Sequence, residues 1–448
     1  MPSDQQNTSP PVKKREIFGW AMYDFANSSF TTVVISVIYA PFFVDWVVPE
    51  STGAKDSLWS LAIVISTLLA MVLSPFVGAV CDYGGGKKRF LAASTLVCAI
   101  ATALLYVVGP GDVWLAIGLL TFGNAAFMVG ESFCGSFLPE LATKKTMGII
   151  SGLGWGLGYF GGLISLLLVM AIVGDVEPEQ DLMTFVSRNQ VAMITIGGFY
   201  LLSALPTFFL VRERSRPKPG FEQASFMTLS KVGFKELGES FKLARQYPVL
   251  FKFFIAFTLY IAGMEVVVKF VGIYARSELK MTMGDLTIIF LIIQVSAAIG
   301  ALLFGVLESR LGAKRTVLLT IAWWICGVLG IFFLYPISEL TGFEPRQVFF
   351  VIGLIAGAGL GSIQSSSRAV VGLLSPPGRS AQMFGFWGMF NRIAIILGMS
   401  FGPVSDYVGR QNAMLLVVGF FVAGGALLWR VPIDSYQQEL QDASPPAP

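Results

Sequence analysis

The sequence predicts an all-α membrane protein with twelve transmembrane helices in two pseudo-symmetric six-helix bundles. Three observations carry that prediction. Of 448 residues, 54% are hydrophobic and only 13% charged, where a soluble domain carries about 25% charged residues. Apolar runs close to the ~20 residues that a bilayer requires recur along the whole chain. A turn containing glycine and lysine appears twice, once in each half.

Residues 1–16 are polar and proline-containing and lack a short apolar core with a small-residue cleavage site, so they read as a cytoplasmic tail and not as a signal peptide. The first apolar run, near 17–48, follows Lys13-Lys14-Arg15, a basic cluster of the kind that holds a helix end on the cytoplasmic side. It carries Asp24 about 10 Å in from that end at ~1.5 Å per residue. Further runs lie near 58–80, 90–109, 113–138, 148–173 and 190–211. A second set lies near 249–275, 284–307, 315–335, 347–372, 383–404 and 411–431. Six and six put both termini on one side. The cations agree: Lys87-Lys88-Arg89, Lys144-Lys145, Arg310, Lys314-Arg315, Arg379 and Arg430 fall on the side of the termini. Lys55, Arg188, Arg276, Lys280, Arg346 and Arg410 fall opposite, and the excess marks the cytoplasm. The bundles are then 17–211 and 248–432, joined by a charged, Pro-broken linker, 212–247, and followed by a tail, 433–448. Within the linker, 226–246 is amphipathic and suited to lie on the membrane surface.

The repeated turn sets the symmetry. Gly78, Gly85 and Lys87-Lys88 recur as Gly305, Gly312 and Lys314-Arg315, an offset of 227 (305 − 78). Two more matches, Tyr23 with Tyr260 and Pro139 with Pro376, fit an offset of 237 (260 − 23). Parallel six-helix repeats are a common way to build a transporter.

Composition also excludes. The chain has no histidine, which removes the commonest general base and metal ligand, so an enzyme of the Ser-His-Asp or zinc type is not expected. Neither a metal nor a cofactor is expected. Cys81, Cys98, Cys134 and Cys326 sit in or beside apolar runs without metal-site or disulfide spacing and read as free thiols. A net charge of +3 gives no reason to expect nucleic acid.

The turn Gly78…Asp82…Gly85…Lys87-Lys88 resembles the signature between helices two and three of the major facilitator superfamily. Within it, GWAMYDFANSSF at 19–30, FLPELA at 137–142, SGLGWGLGYFGG at 151–162 and GSIQSSSRAVVGLLSPPGRSAQMFGFW at 361–387 resemble the family of the vacuolar amino-acid effluxer of autophagy and its bacterial relatives. One departure is visible: the family's pattern has an acid before a glycine in the seventh helix, whereas Ile261-Ala262-Gly263 is apolar here and the acid is Glu265. The resemblance implies a major facilitator fold whose first, fourth, seventh and tenth helices line a central cavity. It also implies alternating-access transport of amino acids or related zwitterions, by efflux or with proton coupling.

An ionisable group inside a membrane helix is a functional candidate, because its charge costs several kcal/mol unless it meets a partner or a cavity. The candidate substrate- or proton-binding residues are Asp24, Asn27, Glu131, Glu265, Arg368, Gln364, Tyr23 and Trp155. Glu131 lies eight residues before Pro139 and Arg368 eight before Pro376, so an acid and a base occupy equivalent repeat positions and form a candidate gate. A fixed structural pair is the alternative. Asp24 and Asn27 at i and i+3 suit an ammonium group. Glu265 and Lys269 at i and i+4 suit a local pair. Asp82, Lys87, Lys88, Arg392, Lys314 and Arg315 are the candidate gate and switch residues, with Arg392 assigned to the charge network of Asp82. Glycines 154, 158 and 162, and 353, 357 and 361, strip one helix face for close packing.

The expected partners are a small-molecule substrate, a proton or sodium ion as coupling ion, and the bilayer; a monomer suffices to build the cavity. Two alternatives stand beside the zwitterion carrier. One is a glycoside-cation symporter of the melibiose type, whose first helix also carries an aspartate; the other is a non-transporting receptor or lipid-handling protein.

Overall fold

Twelve helical passes follow one another in the computed structural model, which describes residues 12–84, 86–141, 147–174, 181–214, 247–374, 380–433 and 435–436. They are α1 (Lys14–Val47), α2 (Lys55–Gly84), α3 (Lys87–Val107), α4 (Val113–Leu141), α5 (Met147–Val173) and α6 (Leu182–Leu210) in the first half. The second half has α7 (Pro248–Ser277), α8 (Met283–Leu311), α9 (Ala313–Phe332), α10 (Pro345–Leu374), α11 (Ser380–Gly398, resumed as Phe401–Val408) and α12 (Arg410–Trp429). Residues 1–11, the linker from 215 to 246 with its amphipathic stretch, Lys144, Lys145, Pro376, Arg379 and the tail from 437 lie outside the described residues, as does the side chain of Asp82.

An even number of passes puts α1's start, α6's end, α7's start and α12's end on one face, called here the terminal face; the opposite one is the far face. The first helix starts at Lys14, a turn earlier than the apolar run. Glu16 makes the turn by accepting from the Lys13 backbone N–H at 3.2 Å. Asp24 is thereby ten residues, or about 15 Å, from the terminal end, near the middle of a ~30 Å hydrocarbon core.

Small residues decide how the helices meet. Asp24, Ser28 and Thr32 of α1 face Gly154, Gly158 and Gly162 of α5 in register, four residues apart on both helices. A methyl placed on Gly161 would stand 2.0 Å from the Phe25 carbonyl oxygen. In the second bundle Gly353 and Gly357 of α10 receive Ile289 and Ile293 of α8 in the same manner. Glycine also lets the bundles touch: a methyl on Gly272 of α7 would stand 2.1 Å from the Ser36 carbonyl oxygen of α1. That carbonyl lies in a π-helical stretch, Phe30–Val37, where the Ile38 N–H reaches back five residues to Val33 O at 3.1 Å.

The repeat is present, and at the turn, whose Gly85 lies outside the described residues, the lysines pair in another register than the expected one. Gly86 precedes α3 with φ +84° and Gly312 precedes α9 with φ +83°, the left-handed region that glycine enters without strain. Two residues on, Lys88 Nζ donates to Val211 O at 2.8 Å and Lys314 Nζ to Val431 O at 2.7 Å, each closing the end of its bundle's last helix. The turns are therefore equivalent at an offset of 226 (312 − 86), pairing Lys88 and not Lys87 with Lys314. The offset of 237 holds inside the helices. Tyr23 Oη lies against Gly130, where a methyl would be 2.3 Å away, and Tyr260 Oη meets Ser367 Oγ at 2.8 Å; 130 and 367 differ by the same 237.

Candidate functional site

Six charged side chains from five membrane helices gather between the bundles. Asp24 (α1) lies within electrostatic reach of Glu131 (α4) and Arg368 (α10). Glu131 in turn feels Arg392 (α11), Glu265 and Lys269 (α7) and Arg368. Among the described residues, three carboxylates and three cations make the group neutral as a whole. Its members come from both bundles, so it spans the interface on which a two-bundle protein would rock.

Each charge is held by its own neighbourhood. The Asp24 carboxylate lies over Gly154, where a methyl would be 2.3 Å from Oδ2, with the Trp20 ring beside it. Trp20 is itself pinned by donating from Nε1 to Cys134 O at 2.8 Å. Glu131 is exposed although ten residues separate it from the end of α4; with the charges of α7, α10 and α11 around it, the space it opens into is the one between the bundles. Arg368 stacks over the Trp387 ring, 5.6 Å from its centroid, a contact worth about 0.5–2 kcal/mol. Glu265 and Lys269 form a direct ion pair one turn apart, both buried. Gln364, one turn before Arg368, points its amide at Met264 Sδ, 3.8 Å away, beside Glu265.

Three of the residues expected at the site are placed elsewhere. Tyr23 and Asn27 are buried in a hydroxyl network inside the first bundle, where Tyr200 donates to Asn27 Oδ1 at 2.7 Å and Tyr23 Oη meets Thr95 Oγ1 at 3.2 Å and Tyr200 Oη at 3.4 Å. In this conformation they tie α1 to α3 and α6, and the expected Asp24–Asn27 face is not shared. Trp155 is exposed and lies beside Tyr159, with ring centroids 6.3 Å apart, on a different face of α5 from Gly154. Arg392 Nη2 donates to Ser132 Oγ of α4 at 2.7 Å, 260 residues away, so among the described residues it reaches across the bundles to the neighbour of Glu131.

The gate candidates at the terminal face hold helix ends together. Lys87 pairs with Glu140 of α4 at 2.9 Å. Glu140 also accepts from the Arg214 backbone at 3.3 Å, and Arg214 pairs with Glu16 of α1 at 2.9 Å. Arg315 follows Lys314 in the first turn of α9 and is exposed. Glu16 and Glu140 carried no signal in the sequence, since an acid near a helix end is ordinary there.

The far face holds a second network that the sequence did not announce. Arg410 of α12 binds both oxygens of Asp56, at the start of α2, at 2.8 Å each, and Ser405 donates to the same carboxylate. Asp406 accepts from the Asp56 N–H at 3.1 Å and the Ser57 N–H at 2.7 Å. A carboxylate of one bundle thus satisfies the first amides of a helix in the other, where the helix dipole favours it. Alongside, Ser277 of α7 donates to Asp45 of α1 at 2.7 Å, and the Arg276 guanidinium sits 5.9 Å over the Phe185 ring of α6.

Twelve helices in two repeated bundles, with opposed charges gathered between them, define a membrane transporter of the major facilitator type. The fold is similar to that of the xylose transporter XylE from E. coli in a partially occluded inward-open conformation (TM-score 0.69, 15% identity, 93% of this chain and 97% of that one). It is also similar to the nucleoside transporter NupG (TM-score 0.64, 17% identity, 93% and 98%). The chain belongs to the family described as vacuole effluxer Atg22 like, whose model matches residues 44–441. Relatives include the uncharacterized MFS-type transporter YxiO of Bacillus subtilis, 26% identical over 418 residues that cover 92% of this chain and 94% of YxiO. Autophagy-related protein 22 of Kluyveromyces lactis is 24% identical, with 99% of each chain covered. The melibiose-type alternative receives no support from these likenesses. Asp24 lies outside the matched span, on the part of α1 that precedes it.

Proposed function

We propose that the protein is a secondary transporter that moves amino acids or related small zwitterions by alternating access, with its terminal face in the cytoplasm. The observation that carries this reading is the neutral set of three carboxylates and three cations between the bundles. A zwitterion brings one charge of each sign, so it exchanges contacts with such a site without leaving a buried charge unpaired. Breaking one partner from a buried pair costs about 3–5 kcal/mol, and a solute that replaces the lost partner removes that penalty. Asp24 and Glu131 are the acids assigned to the solute's ammonium group; Arg368 and Arg392 are the cations assigned to its carboxylate.

Alternating access needs the site to face one side at a time. The hydrogen bonds and ion pairs across the far face support a conformer closed there, and the exposure of Glu131 supports access from the terminal face. Membership of an effluxer family favours export or exchange as the direction.

The test is thermal unfolding of the detergent-purified protein against a panel of amino acids, dipeptides and sugars, for the wild type and Asp24→Asn. Mass action raises the melting temperature of a protein that binds its ligand when folded. The expected result is a shift from one amino-acid class that is lost in Asp24→Asn. Stabilisation by sugars alone would overturn the reading.

A further inference from the structure

We propose that Lys269 is a resident counter-cation that fills the cation position at Glu265, so that the carrier binds no free sodium ion or other inorganic monovalent cation as a coupling ion. The proposal deepens the transporter reading and rests on it for its consequence, though not for its test.

A carboxylate at mid-membrane must be neutralised by a proton, by a bound metal cation or by a fixed cation, because a bare charge there costs several kcal/mol. Glu265 uses the third option. Lys269 is one helical turn further along α7, in direct contact with it, and both residues are buried. The acid stands N-terminal to the base, the better order for a pair spaced i and i+4. Unlike a guanidinium, an ammonium group is a compact point charge without a planar fork, and it concentrates one unit of charge where a metal ion would otherwise have to.

Among the described residues the other charges of the group are matched as well. Arg392 and Arg368 act on Glu131, and Arg368 acts also on Asp24. With Lys269 included, the acids Asp24, Glu131 and Glu265 are matched one for one. A sodium ion entering this group would add an uncompensated positive charge; a net-neutral solute would not. Removing the ammonium reverses the situation, since the group would then hold three acids against two cations, with Glu265 lacking its direct partner.

The experiment measures thermal unfolding of the full-length protein at one pH, without organic solute, in sodium chloride and in choline chloride of equal concentration. The proteins compared are the wild type, Lys269→Gln, Lys269→Arg and the double variant Glu265→Gln/Lys269→Gln. The wild type, Lys269→Arg and the double variant should melt at the same temperature in both salts. Lys269→Gln should melt several degrees lower in choline than in sodium. A sodium shift in the wild type overturns the proposal even if no variant folds, and so does a Lys269→Gln protein that is indifferent to sodium. Counterflow of labelled amino acid in proteoliposomes adds a second readout: wild-type flux should be equal in the two salts, and Lys269→Gln flux about tenfold higher in sodium. If no amino acid moves while the unfolding pattern holds, the cation assignment stands and the amino-acid reading falls.

Discussion

The two faces of the molecule hold their helices together with the same chemistry and to different ends. At the far face Asp56–Arg410, Asp406 with the first amides of α2, and Asp45–Ser277 each join one bundle to the other. At the terminal face Lys87–Glu140, Lys88–Val211, Glu16–Arg214 and Lys314–Val431 each join elements of a single bundle or its flanking segment. The difference separates two roles that a list of ion pairs would merge. A contact within a bundle adds to stability in every conformation, because the bundle moves as one body. A contact across the bundles adds to one conformation only and so sets the equilibrium between them.

The strongest way to break the comparison is at Asp56. Its side chain is almost wholly buried against Arg410, and removing one partner of such a pair costs about 3–5 kcal/mol. That cost falls on the far-closed conformer alone. Asp56→Asn should therefore move the population toward molecules open at the far face. Electron–electron resonance between spin labels at Thr52 and Ser338 should show a longer distance in the variant than in the parent. An unchanged distance would mean that the network only decorates a closure made by packing.

Gly154 offers the next largest effect and probes the site between the faces. A methyl there would strike the Asp24 carboxylate at 2.3 Å, and overpacking of that order costs about 1–3 kcal/mol. Gly154→Ala should weaken amino-acid binding, read as a smaller ligand-induced shift in melting temperature. Gly156→Ala, two residues on, meets nothing within 4 Å and should leave binding unchanged.

At the terminal face Glu140→Gln removes the partner of Lys87. The pair is mostly buried but less so than Asp56 (12% and 16% against 2% side-chain exposure), so the expected loss is about 1–2 kcal/mol, measured as a lower melting temperature. The spin-label distance across the far face should not move. A shift in that distance would place Lys87 in the gate, as its position in the repeated turn had led us to expect.

Much of the site was legible because charge inside a membrane helix is conspicuous. Asp24, Glu131, Arg368 and the Glu265–Lys269 pair stand out from apolar surroundings, and all five enter the central group. Helix faces were harder to read. At 3.6 residues per turn Asn27 lies about 60° round the helix from Asp24, which is enough to place it in the Tyr200 network instead of the site. The register of the repeated turn was hidden in the run Lys87-Lys88, where composition does not say which ammonium closes the end of α6. The contact of Arg392 with Ser132 was not legible, because that partner is 260 residues away and uncharged. The far network had no signal at all, since Asp56 and Arg410 sit at helix ends where charges are ordinarily solvated.

Asp181 sharpens the comparison at its limit, because it is a far-face polar contact that serves one bundle. Its carboxylate caps α6, accepting from the Thr184 hydroxyl at 2.5 Å and the Thr184 N–H at 3.0 Å. These hydrogen bonds, the hydroxyl's first, hold its carboxyl below the usual carboxylate range. A group whose folded value is depressed contributes its full stability above the unfolded value, about pH 4, and loses it as the pH falls through the folded value. Asp181→Ala should therefore lower the melting temperature slightly at pH 7, and the gap to the wild type should close below pH 4. The far-face spin-label distance should stay that of the parent at either pH. If it lengthens, closure depends on far-face polarity in general; if it holds while Asp56→Asn lengthens it, what closes the far face is the crossing of a contact from one bundle to the other.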